Sequence, residues 1–179
     1  IMTNPGVNVA FAPIQSAPQF YDASDALESN SELGMPVIAW VNDLTNPMYA
    51  DWPKTLKDMM RYRWMNGLPL IQQNFFQLVV LLDMRDPQAL LLLGMYLDAT
   101  LMDYAIRWGI VPLLEDEDCH VLAQLFWLGM EQLAALEIPL FLQKLAATPL
   151  TPEGRVDPKQ ARAVLRSMLP ASAQEDNEL

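Results

Sequence analysis

The chain has 179 residues, 52% of them apolar and 18% charged, enough for one domain with a sizeable core. Eleven Lys and Arg stand against 22 Asp and Glu, a net charge of −11 that repels phosphate backbones and anionic headgroups and so argues against nucleic acid and membrane surfaces as partners. The single Cys119 cannot close an internal disulfide, and residues 1–20 lack the basic start and continuous apolar stretch of a secretory signal, so a cytoplasmic location is expected.

In chain order, residues 1–34 mix Pro, Ser, Asn, Gln and Gly without a persistent period of 2 or 3.6 and read as an irregular tail. A helical core domain is expected over 35–147. It opens with a short helix from Pro36 to Leu44, and Asp51-Trp52-Pro53 then starts a stronger helix that Gly67 ends. A helix from Pro69 to about Met84 would bury Leu70, Phe75, Leu78, Val79 and Leu82 and expose Gln72, Gln73, Asn74 and Gln77.

Asp86-Pro87 caps the next expected helix, which runs to Gly109 with Leu90, Leu93, Leu97, Leu101, Tyr104 and Trp108 at steps of three and four. Its run Ala89–Leu97 is far shorter than the roughly 20 residues needed to span a bilayer, so no membrane insertion is expected. After a connector at 110–114, the acidic run Glu115–Asp118 suits a helix N-terminus; the helix then reaches about Glu137, with Leu122, Leu125, Phe126, Gly129, Leu133 and Leu136 as its stripe. A shorter helix covers Pro139–Ala147. Residues 148–156 read as a linker, 157–170 as a C-terminal helix packed on the domain or on a partner, and 171–179 as a polar, acidic tail. Few β-branched runs and almost no strict alternation leave the expected fold as all-α, a compact bundle of about five to seven helices.

No constellation identifies a chemistry. Cys119 and His120 are adjacent, but the four acidic residues before them raise a thiol pKa, and neighbouring helical residues diverge by about 100°. A buried Cys with an exposed or capping His is the simpler reading. Glu115, Asp116, Asp118 and His120 could ligate a hard metal, the alternative of an acidic helical metal-dependent enzyme. A lone His and no Glu-x-x-His pair favour instead a solvated helix start, with no metal or cofactor. Asp98 and Asp103, about 140° apart on a helix, form no paired-carboxylate site.

The segment Met59–Met65 is rich in the Met, Arg, Tyr and Trp that interfaces favour. Leu56, Met60 and Trp64 recur at i, i+4 and i+8 and are expected to face the core, leaving Arg61, Tyr62, Arg63 and Met65 for a partner. Lys54, Lys57 and Arg61 are expected on the opposite face of that helix, and Lys159, Arg162 and Arg166 make a second basic stripe on the last one. The resulting expectation is a non-enzymatic protein–protein interaction module: an adaptor, chaperone-like or assembly subunit of a bacterial or viral complex, secretion- or phage-related, that binds another protein or itself.

Overall fold

The computed structural model describes residues 38–60 and 70–169. It overturns the all-α helical bundle. Its elements are strand β1 (Ala39–Trp40), a 3-10 turn (Pro47–Tyr49), helix α1 (Leu56–Met59), strand β2 (Phe76–Leu82), helix α2 (Pro87–Thr100), strand β3 (Ile106–Pro112), and helices α3 (Glu117–Gln132), α4 (Ile138–Ala146) and α5 (Pro158–Met168). The sheet order is β1-β3-β2, with β3 antiparallel to β1 and parallel to β2 in the register Phe76↔Ile106 to Leu82↔Pro112. A β2–α2–β3 unit therefore stands where two consecutive helices are expected from sequence.

The two misread segments have a common physical cause. Phe-Gln-Leu-Val-Val-Leu-Leu and Ile-Arg-Trp-Gly-Ile-Val-Pro are short apolar runs, in which period 2 and period 3.6 leave the same trace. In β3, Gly109 is not a helix stop. It lies opposite Trp40, whose ring crosses the sheet there: a Cβ at Gly109 would come within 2.7 Å of Ile38 Cγ2 and 3.0 Å of Trp40 Cζ3. The same ring carries the Arg107 guanidinium 4.1 Å from its centroid.

Alternation then sorts the sheet. Val80 and Leu82 of β2 and Ile106, Trp108 and Ile110 of β3 enter one core with Leu90, Leu93, Leu97, Leu122, Phe126, Phe141, Leu142 and Leu165 from α2 to α5. The other face carries the small cluster of Val111, Leu113 and Ile38. Leu101, Leu125 and Leu133, expected inside, are inside. Asp86 caps α2 and Asp157 caps α5, each side chain accepting from the second helical N–H, with Pro in the first turn. Helix α4 crosses α2 at Gly94, where a Cβ would sit 2.9 Å from the Pro139 carbonyl oxygen. The segment 148–156 folds back on itself through a bridge between Leu150 and Val156, with Gly154 at φ 78°. Helix α5 packs on α3 and α4 through Ala161 and Leu165. No helix among the described residues is long and apolar enough to cross a membrane.

Candidate functional site

In open α/β sheets, ligands gather outside the carboxyl ends of the parallel strands. Here that pole is closed by an ionic knot. Arg85, two residues after Asp83 at the exit of β2, is 6% exposed. Its Nε and Nη2 donate to the two Asp83 carboxylate oxygens at 3.1 Å each, and its remaining contacts go to Glu115 and Asp116 at the exit of β3. The bonds to Asp83, and after them the bond to Glu115, hold the Arg85 pKa above its ordinary value. Asp116 is also the N-cap of α3, accepting from the Cys119 N–H at 2.9 Å, and that bond is the main reason its carboxyl titrates below the usual range.

Cys119 lies fully buried beneath this knot, and burial pushes its thiol pKa up. Desolvation, more than the preceding acidic run, disfavours the thiolate. His120 is half-buried. Glu115 and Asp116 are drawn onto Arg85, and among the described residues no three His, Cys, Asp or Glu are arranged to hold a metal ion. Asp98 is exposed on α2, and Asp103 lies beyond it in the turn before β3.

The expected partner residues Arg61, Tyr62, Arg63 and Met65, with Trp64, lie outside the described residues. The helix that was to carry them is four residues long where it is described, and Leu56 and Met60, expected to face the core, are 53% and 78% exposed. Lys159, Arg162 and Arg166 are exposed on α5.

Two apolar surfaces escaped the sequence reading. Leu91, Leu92, Met95 and Tyr96 lie together on the solvent side of α2, with Met102 beyond its end and Leu136 and Leu140 beside it at the start of α4; Met95 is 55% exposed. The second is β2 itself, where Phe76, Leu78, Val79 and Leu81 are all exposed. The α2 sequence is apolar on every side, a pattern that by itself marks a helix buried all round. Only the position of α2 at the periphery shows which side is wet.

The chain matches the family model of a thioredoxin-like domain over residues 21–177. No curated protein matches it.

Proposed function

The chain belongs to the thioredoxin-like domain family, and from that premise we propose that it is a protein-binding module, adaptor or chaperone-like in character, and not a thiol–disulfide enzyme. The observation that carries this reading is the exposed surface of Leu91, Leu92, Met95 and Tyr96 on α2. Large apolar side chains grouped on a soluble surface mark a contact for another macromolecule, and Met and Tyr supply adaptable area there. Redox chemistry near a βαβ unit is carried by a Cys-x-x-Cys pair. This sequence has one Cys, and it is buried with a raised thiol pKa. At the carboxyl pole, where a small ligand would be sought, Asp83, Glu115 and Asp116 are already engaged by Arg85.

A test uses a reduced, carboxymethylated polypeptide as the apolar probe, with its binding followed by fluorescence anisotropy. The double substitution Leu92→Asp with Met95→Asp should weaken binding at least tenfold with an unchanged circular dichroism spectrum, and Cys119→Ser should bind as the parent does. Unchanged affinity in the folded double variant, or loss of binding in Cys119→Ser alone, would overturn the reading.

A further inference from the structure

Strand β2 is an edge strand: β3 flanks one side, and among the described residues no strand flanks the other. The Leu82 carbonyl accepts from the Leu113 N–H at 2.9 Å, so its backbone groups face β3. Both groups of a strand residue lie on one edge and alternate along the strand. Phe76, Leu78 and Val80 therefore also face β3, while Gln77, Val79 and Leu81 direct their N–H and C=O groups to the open edge. Val79 and Leu81 are 43% and 39% exposed.

Natural edges are normally blunted by Lys, Pro, a bulge or brevity. This one has none of these over Phe76–Leu82, seven residues without a charge. The amino end of the strand is flanked by Gln72, Gln73 and Asn74, and the Asp43 carboxylate accepts from the Asn74 amide there at 2.8 Å. Its carboxyl end opens on an acidic pole in which Asp83, Asp86, Glu115, Asp116, Glu117 and Asp118 outnumber Arg85 and Arg155. Arg85 is buried and Arg155 is shared between Glu153 and Asp116, so the pole presents net negative charge.

We infer that the open edge of β2 takes up an extended, apolar segment of a partner protein as an added antiparallel strand, with Lys or Arg preceding that segment at the acidic pole. Antiparallel addition is the more stable pairing per residue, and it sets the amino end of the incoming strand beside Asp83 and Asp86. The incoming side chains meet Phe76 and Leu78 on one face of the sheet and Val79 and Leu81 on the other. A second copy of the chain is disfavoured by its charge of −11 and offers no basic residue in register with the pole. The inference rests on the protein-binding reading but uses a surface separate from α2.

The probe is a labelled peptide of about nine residues, long enough to span the strand at about 3.3 Å per residue, with two Lys followed by Val, Thr, Ile and Phe. Binding is measured by anisotropy. Val79→Pro should weaken it at least tenfold while the chain stays folded, because the Val79 N–H points to the open edge and its loss removes no ladder bond. The same peptide with its Lys pair moved to the carboxyl end should bind several-fold more weakly. On the unsubstituted protein, N-methylation of alternate peptide amides should abolish binding in one phase and be tolerated in the other. That series decides the matter if Val79→Pro does not fold. Leu92→Asp with Met95→Asp should leave the peptide affinity unchanged, which separates failure of the α2 reading from failure of this one. Equal binding to folded Val79→Pro, tolerance of methylation in both phases, or a concentration-dependent dimer that Val79→Pro dissolves would each overturn the inference.

Discussion

Arg85 is gripped by Asp83, two residues earlier in the chain, through paired hydrogen bonds of 3.1 Å from Nε and Nη2. The pair locks the exit of β2, and Glu115 and Asp116 extend the lock to the exit of β3. Replacing Arg85 by Met would leave three carboxylates crowded without their cation. The expected loss is about 3 kcal/mol in chemical denaturation, the low end for a buried pair because the carboxylates keep partial access to water. A loss under about 1 kcal/mol would show the knot to be ornamental. Asp116, its pKa depressed in the fold, contributes stability that is present above the ordinary carboxylate range and lost as pH falls through its lowered value. The decline in melting midpoint on acidification should therefore be shallower in Asp116→Asn.

Helix α2 touches α4 at Gly94, where an added Cβ would meet Gln143 Cγ at 2.8 Å and the Pro139 carbonyl oxygen at 2.9 Å. Gln143 can swing aside; the backbone oxygen cannot. Gly94→Ala gains up to about 1 kcal/mol in helix propensity but must push the helices apart, which costs about 1–3 kcal/mol, so net destabilisation is expected. A raised melting midpoint would show that the two helices separate freely.

What was legible in the sequence followed from long-range periodicity and caps. Asp86-Pro87 and Asp157-Pro158 marked helix starts that stand where they were read, and Leu93, Leu97, Leu101, Leu125 and Leu133 are buried. The sheet was not legible, because β2 is apolar on both faces and shows no alternation for a half-buried strand to display. The edge and the α2 surface were hidden for the same reason. Leu91 and Leu93 are the same residue type two positions apart, and only tertiary placement makes one wet and the other dry.

Cys119 is fully buried, with its backbone N–H tied to Asp116 and its thiol pKa raised by burial. Its reaction with a disulfide reagent at pH 8 should be at least about a hundredfold slower in the native protein than in denaturant, following the thiolate fraction and access. Comparable rates would mean that the start of α3 opens readily and that the thiol is available for chemistry.

Strand β1 is only two residues long, and the side chain of Asn42 continues its work. The Asn42 amide donates to the Ile106 carbonyl at 3.0 Å and to the Tyr49 hydroxyl at 3.2 Å, while its carbonyl oxygen accepts from the Trp108 N–H at 2.8 Å. A buried side-chain amide thus satisfies the edge of β3 where the backbone of β1 has turned away, and it ties that edge to the Tyr49–Trp52 cluster. Asn42→Ala strands the Trp108 N–H and the Ile106 carbonyl together, for an expected cost of about 2–4 kcal/mol. Asn42→Asp should be at least as damaging, since it adds a buried charge and loses the donor to Ile106. A double-mutant cycle isolates the third bond: Tyr49→Phe should cost about 1 kcal/mol in the parent and close to nothing in the Asn42→Ala background. Equal costs in both backgrounds would show that the Tyr49 hydroxyl acts independently of Asn42 and would confine the role of the amide to β3.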